Sequence, residues 1–213
     1  MNIIFLGAPG AGKGTIADVV KDRLGIPTIS TGALLRAAIS AESELGLLAK
    51  SYIDAGNLVP DSVVIDLIKE RLSEDDCKSG FILDGFPRTV PQAEELDRMN
   101  VKIDYAISVE ISDAQICARL SGRRVCPVCG ATYHVDNIPS KDGIHCDNDG
   151  AELKTRADDD PKVVSERLAV YHKTTEPLID YYRAKGVLAP IDGSVSLEHS
   201  VECCMDAIGK DGN

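Results

Sequence analysis

Nine residues, Gly7-Ala8-Pro9-Gly10-Ala11-Gly12-Lys13-Gly14-Thr15, constrain this chain more than any other feature. They follow an apolar run, Asn2–Leu6, that reads as a buried strand. They precede Lys13–Leu24, in which Ile16, Val19, Val20 and Leu24 recur at helical spacing. A glycine-rich loop between a strand and a helix is the setting of a phosphate-binding loop. Its glycines let successive N–H groups curl inward into an anion nest, and the helix start adds unpaired N–H groups and a positive dipole end. Lys13 supplies a mobile cation for a terminal phosphate. The candidate set is Gly10, Ala11, Gly12, Lys13, Gly14 and Thr15. Because Gly14 follows Lys13, the hydroxyl falls one place later than in the general pattern, so Thr15 need not ligate a metal directly and Mg²⁺ would be held largely by nucleotide phosphates and water.

The alternation continues along the chain. Short strands are predicted at Pro27–Ser30, Phe81–Leu83, Tyr105–Val109 and Val187–Ile191. Helices are predicted at Ala33–Ser40, Glu44–Ala55, Asp61–Leu72 with Asp61 as N-cap, Pro91–Met99, Asp113–Leu120 and Leu197–Ile208. A further helix should begin with Pro161 at its first position and run to about Lys185, kinked or broken at Pro177. Residues Gly209–Asn213 read as a frayed tail. Five strands alternating with helices imply an α/β fold, a parallel five-stranded sheet of the P-loop NTPase kind with helices on both faces. Between Gly122 and about Asp160 the apolar periodicity fades and Cys, Gly, Asp and His become dense, so an inserted small lobe is expected there.

Composition narrows the function. The 213 residues carry a net charge of −11, against a general nucleic-acid binder but not against a nucleotide held by a few well-placed cations. No apolar run reaches the roughly 18 residues of a membrane helix, and the N-terminus lacks the form of a signal peptide. Seven cysteines, an odd number without framework spacing, favour a reducing compartment with the cytoplasm as default.

Two more segments end predicted strands: Ser30-Thr31-Gly32 with Arg36 beyond, and Asp84-Gly85-Phe86-Pro87-Arg88 with Gln92 beyond. Ligands bind at the carboxyl ends of strands in an open parallel sheet, so these segments and the glycine loop should share one crevice. Together with the later Arg119-Leu-Ser-Gly-Arg123-Arg124, and in this order over nearly the whole chain, these motifs resemble those of adenylate kinases. The resemblance implies AMP contacts at Thr31, Arg36, the Asn57, Leu58 and Val59 backbone, Gly85, Phe86, Pro87, Arg88 and Gln92. Gln92 would read the adenine edge through its two-sided amide, and Arg36 and Arg88 would grip the AMP phosphate. Asp84 would orient water around Mg²⁺. Arg119 is placed on the ATP base, Arg123 on ATP phosphates, and Arg156 and Arg167 near the AMP phosphate and the group in transit. Lys13, Asp84, Arg88, Arg123, Arg156 and Arg167 thus form the candidate catalytic set. Ala33 departs from the family, which often carries Asp there; this bears on helix capping rather than on chemistry. Asn57 also replaces a frequent charged residue.

Cys126-x-x-Cys129-Gly130 and Cys146-x-x-Asp149-Gly150 are matching turns separated by sixteen residues, the spacing of paired knuckles around structural zinc. Asp149 is the preferred fourth ligand, with His145, His134 and Asp147 as competitors. A closed set of this kind serves structure and resembles the metal-bearing lid of long-form adenylate kinases. The expected organisation is a core of residues 1–29, 60–121 and 160–213, an AMP-binding lobe of 30–59, and a lid of 122–159. Thr132 and Tyr133 of the lid and the Val195 backbone are expected on ATP. The nucleophile would be an already ionised phosphate oxygen, so no general base is needed and His134, His145, His172 and His199 are read as structural or exposed. Cys77, Cys117, Cys203 and Cys204 are read as small buried apolar residues. A monomer acting on ATP, AMP and ADP, away from nucleic acid and membrane, is the expectation. A UMP or CMP kinase, a non-enzymatic nucleotide- and zinc-binding module, and a hydrolase using water are the rivals.

Overall fold

The computed structural model describes residues 1–209; of the tail expected to fray, Gly209–Asn213, Gly209 instead closes the last helix and the rest lies outside the described residues. In chain order the elements are β1 (Asn2–Leu6), α1 (Lys13–Leu24), β2 (Thr28–Ser30), α2 (Thr31–Ser40), α3 (Glu44–Asp54), α4 (Asp61–Leu72), β3 (Phe81–Asp84), α5 (Val90–Arg98), β4 (Tyr105–Glu110), α6 (Asp113–Gly122), β5 (Arg123–Val125), β6 (Thr132–His134), α7 (Pro161–Val170), α8 (Pro177–Ala184), β7 (Leu188–Asp192) and α9 (Leu197–Gly209).

Five strands form a parallel sheet in the order β2-β3-β1-β4-β7, as expected from the alternation of strands and helices. The period-2 geometry of a strand explains the two cores. Ile4 and Leu6 of β1 and Phe81 and Leu83 of β3 face one side, where they join Leu96, Leu178 and Tyr182 from the helices. Ile3, Phe5 and Ile82 face the other, against Ile16, Ala17 and Val20 of α1 and Val201, Cys204 and Ile208 of α9. The register Ile3↔Ile82 and Ile4↔Leu83 keeps the two sets apart. Each Leu, Ile, Val or Phe side chain among them, fully withdrawn from water, contributes about 1.5–3 kcal/mol. The central strands are therefore apolar on both faces, which is why they read as continuous runs rather than alternating ones.

Helix ends show where sequence reasoning held and where it failed. Pro161 takes the first position of α7 and Asp160 caps it, accepting from the Lys162 N–H at 2.9 Å. Pro177, which has no N–H, is preceded by a turn of π-helix at Tyr171–Thr175 closed by the Glu176 N–H to the Tyr171 carbonyl, so the expected break is a local widening. Asp61 is not the N-cap of α4. Pro60 holds that position without a side-chain cap, and Asp61 is the first helical residue, its carboxylate drawn to Thr89 and Gln92. Ala33 leaves no capping deficit, because Ser30 Oγ accepts from the Ala33 N–H at 3.4 Å. Cys77 and Cys204 are buried as expected, but Cys117 is exposed and Cys203 is half-buried at the edge of the core that it packs against. Among the described residues no helix is long and apolar enough to cross a membrane.

Between α6 and α7 the chain leaves the sheet. β5 and β6 pair antiparallel with Arg123 opposite His134, and single bridges tie Val125 to Lys154 and His145 to Glu152. This lobe has its own small core of Cys126, Tyr133 and Cys146.

Candidate active site

The glycine loop lies between the end of β1 and the start of α1. Gly10 has φ +83°, and a side chain there would strike Leu120 of α6 at 2.8 Å, so the loop can close down on the helix only with glycine. α1 begins without a side-chain cap and without an acidic residue in its first turn, leaving its N–H groups and dipole free for an anion. Lys13 folds back over the loop, donating to the carbonyls of Gly7 (2.7 Å) and Ala8 (2.8 Å). A Cβ on Gly14 would stand 3.3 Å from Asp84 Oδ2. That approach accounts for glycine after Lys13: a larger residue would crowd the carboxylate at the end of β3.

One cleft is shared by the carboxyl ends of β1, β2 and β3. Its walls include Gly7, Pro9 and Lys13 from the loop, Thr31, Gly32, Leu35 and Arg36 from α2, and Asn57, Leu58 and Val59 beyond α3. Gly85, Pro87, Arg88 and Gln92 follow β3, and Asp158, Arg167, Tyr171 and Thr175 complete it from the other side. The expected convergence of the three segments is thus realised in space. Phe86 and Arg156 are not part of this wall: Phe86 is 1% exposed and belongs to the apolar core. Thr132, Tyr133 and Val195 also stand outside it. Tyr133 points into the lobe's interior, its hydroxyl accepting from the Asp147 N–H at 2.9 Å, and its backbone pairs with Arg124 across the β5–β6 ladder. Val195 lies exposed after β7, where Arg119 donates to the carbonyls of Gly193 (2.6 Å) and Ala11 (3.4 Å), bridging that loop to the glycine loop.

Charge is the site's dominant property. Burial, aided by repulsion from Arg88, Arg167 and Arg123 and opposed by Asp84, lowers the Lys13 ammonium to about 8. Burial likewise lowers Arg36, Arg88 and Arg167, each further depressed by neighbouring guanidinium groups. Arg156 falls to about 9 through burial and then through Arg123 and Arg36. A cluster of cations that repel one another in a partly dehydrated cleft calls for anions of high charge.

Two acids that sequence reasoning passed over organise this cluster. Asp159, with its side chain fully buried, accepts from Arg123 Nε at 2.8 Å and from the same guanidinium's second nitrogen, and Arg167 approaches it at 3.4 Å. Asp158 pairs with Arg167 at 2.9 Å. Their signal was the Asp158-Asp159-Asp160 run after Arg156. Once Pro161 fixes Asp160 as a cap, the two upstream acids face the cations rather than solvent. Thr175 was also unforeseen: its hydroxyl donates to the Arg88 carbonyl at 2.8 Å, while Arg88 Nε and the Thr31 hydroxyl both donate to the Gly85 carbonyl, each at 2.8 Å. Ser30 Oγ donates to Asp84 at 3.3 Å.

In the inserted lobe, Cys126, Cys129, Cys146 and Asp149 offer ligand atoms that all lie within 4.8 Å of one another. The two turns match in detail. The Gly130 and Gly150 N–H groups return to the Cys126 and Cys146 carbonyls, and the Cys126 and Cys146 N–H groups bond the Ala131 and Ala151 carbonyls. The competing ligands are engaged elsewhere: His145 with Asp142 at 2.7 Å, Asp147 with the Lys141 N–H at 3.0 Å, and His134 Nδ1 with the N–H groups of Asp136 and Asn137. Three sulfurs and a carboxylate converging on one point have the donor chemistry of a closed structural zinc site.

Comparison with known proteins places this geometry. The model of a family described as adenylate kinase matches residues 5–187. An adenylate kinase of Lysinibacillus sphaericus (strain C3-41) is 51% identical over 213 residues, covering 98% of this chain and 97% of the relative. One of Archaeoglobus fulgidus is 53% identical over 202 residues, 93% of each chain, and one of Bacillus subtilis (strain 168) is 50% identical over 214 residues, 98% of each.

Proposed function

The chain belongs to the adenylate kinase family and transfers a phosphoryl group reversibly between ATP and AMP to give two ADP; from that premise we propose how its own residues do so. The carrying observation is the cleft in which Lys13, Arg36, Arg88 and Arg167 face one another from three strand ends and α7. ATP lies with its phosphates over residues 10–15 and its base toward Arg119 and the Val195 backbone. AMP lies between α2, the 57–59 backbone and the 85–92 segment, with its phosphate on Arg36 and Arg88.

The two nucleotides then meet end to end, and their repulsion is the main barrier to alignment. Lys13, Arg88, Arg123, Arg156 and Arg167 offset it, concentrating positive potential where charge spreads over the equatorial oxygens in transfer. The attacking AMP oxygen carries charge at neutral pH, because its second pKa is about 6, so no side chain has to take a proton. Mg²⁺ entering with ATP supplies charge neutralisation between the phosphates, and Asp84, held by Ser30, is the residue placed to orient its water.

Residues 30–59 and 122–159 form two lobes that close over AMP and ATP around the core of 1–29, 60–121 and 160–213, excluding water that would otherwise accept the phosphoryl group. Cys126, Cys129, Cys146 and Asp149 would hold a structural Zn²⁺ that replaces a larger apolar core in the lid. The lid's own apolar cluster is small, which supports this role. Thiolate ligation fits a reducing cytoplasm, and the enzyme is read as a monomer. A crystal structure with a two-headed adenosine inhibitor tests the residue assignments: the inhibitor should span Lys13, Arg88 and Arg123, and any other location overturns them. Stripping the metal with a strong chelator should lower the melting temperature and loosen the lid to proteolysis; equal melting with and without chelator would refute the zinc assignment.

A further inference from the structure

Gln92 is 2% exposed, and each end of its amide meets a partner of a single polarity. Its Oε1 accepts from the Arg88 backbone N–H at 2.7 Å, a group that can only donate. Its Nε2 donates to Asp61 Oδ1 at 2.7 Å, a carboxylate that can only accept. Turning the amide over would set an NH₂ against an N–H and an oxygen against a carboxylate, so the hydrogen-bond chemistry itself assigns the orientation. Asp61 is in turn held by the Thr89 hydroxyl at 2.9 Å, and Thr89 caps α5 through the Gln92 N–H. As the first residue of α4, Asp61 also has its charge at the favourable end of a helix.

After these two bonds Gln92 retains one N–H and one carbonyl lone pair, in fixed order, on a cleft also lined by Leu35, Val59 and Val64. The purines differ in that order. Adenine presents an amino donor and a ring-nitrogen acceptor along its edge; hypoxanthine and guanine present a carbonyl acceptor and a ring N–H donor in the same places. We propose that Asp61, without touching substrate, is a specificity-determining positioning residue that locks the Gln92 amide in the sense that reads 6-aminopurine monophosphates and rejects 6-oxopurine ones. The inference rests on the assignment of Gln92 to the AMP base.

The test compares AMP with IMP, which differs from it only along this edge, as phosphoryl acceptors for wild type, Asp61→Ala, Asp61→Asn and Gln92→Leu. Asp61→Ala removes the carboxylate, and Asp61→Asn keeps its shape but offers an amide that can meet either orientation of Gln92. The expected result is a fall of about tenfold in the AMP:IMP ratio of kcat/KM for Asp61→Ala and a smaller fall for Asp61→Asn. The change should lie in KM for AMP, with kcat within about threefold of wild type. Should Asp61→Ala fail to fold, the near-isosteric Asp61→Asn carries the test alone. An unchanged AMP:IMP ratio in folded Asp61 variants, or an equal loss of kcat with both acceptors, overturns the proposal while Gln92→Leu still raises KM for AMP. If Gln92→Leu leaves KM for AMP untouched, the assignment of Gln92 to the base fails, and the role of Asp61 falls with it.

Discussion

Lys13→Met is expected to lower kcat for ADP formation by on the order of 10³-fold, about 4 kcal/mol of transition-state stabilisation, while leaving the fold intact. The two effects separate because of where Lys13 sits. Its ammonium is buried among Arg88, Arg167 and Arg123 and, without nucleotide, is satisfied only by two carbonyls of its own loop. Removing it takes away a dehydrated, repelled charge, so the melting temperature of the ligand-free variant should equal or exceed that of wild type. During transfer that charge is needed on the moving phosphoryl group, and methionine cannot provide it. The lowered value of about 8 adds a pH signature. Below pH 8 the wild-type ammonium is charged and ready; as pH rises through 8 the open cleft loses it, and phosphate binding must restore the proton. KM for ATP should therefore climb above pH 8 in wild type and lack this limb in Lys13→Met. Full activity in the variant would show that the glycine loop does not hold the transferred phosphate.

What could be read in the sequence was what local chemistry enforces. The strand Asn2–Leu6 and the helix Lys13–Leu24 match their expected bounds because apolar period, glycine loop and the Gly25 cap all agree there. The paired knuckles were legible because a metal-ligating set would demand fixed spacing, whereas the hydrogen bonds that engage the competitors His145 and Asp147 are visible only in the structure. What could not be read were the residues that act through others. Asp61 looks like any helix-starting acid, and nothing in its neighbourhood in the chain points to Gln92, 31 positions away. Thr175 reaches Arg88 across 87 positions, from a π-turn that Pro177 announces only as a break. Tyr133 was expected on the nucleotide, and its ring packs with Cys126 and Cys146 in the lid's interior, a placement no periodicity in the chain announces. Sequence patterns expose groups that meet a ligand or a metal in a stereotyped frame; long-range polar partners leave no such period.

Asp159 is where this blind spot carries the largest consequence. Its carboxylate is the buried counter-charge for Arg123, whose side chain is 15% exposed, and lies within reach of Arg167 at 17%. Asp159→Ala should leave both guanidinium groups close together with only Asp158 to offset them. Breaking a buried pair from one side costs about 3–5 kcal/mol; with the arginines partly wetted by the open cleft, the lower end applies. For a chain of this size, about 3 kcal/mol corresponds to a fall of roughly 6–12 °C in melting temperature. Asp159→Asn retains the shape and one acceptor, so it should recover part of the packing but not the charge. Nucleotide phosphates can replace the missing anion, so saturation with a two-headed adenosine polyphosphate should raise the melting temperature of Asp159→Ala by more than it raises that of wild type. Activity should not recover in parallel: without the carboxylate that fixes their direction, Arg123 and Arg167 are held by phosphate alone, and kcat should remain lower by about 10²-fold. A variant that melts with wild type, or one whose kcat returns to the wild-type value at saturating nucleotide, would show that the arginines orient themselves on substrate and that Asp159 is dispensable to them.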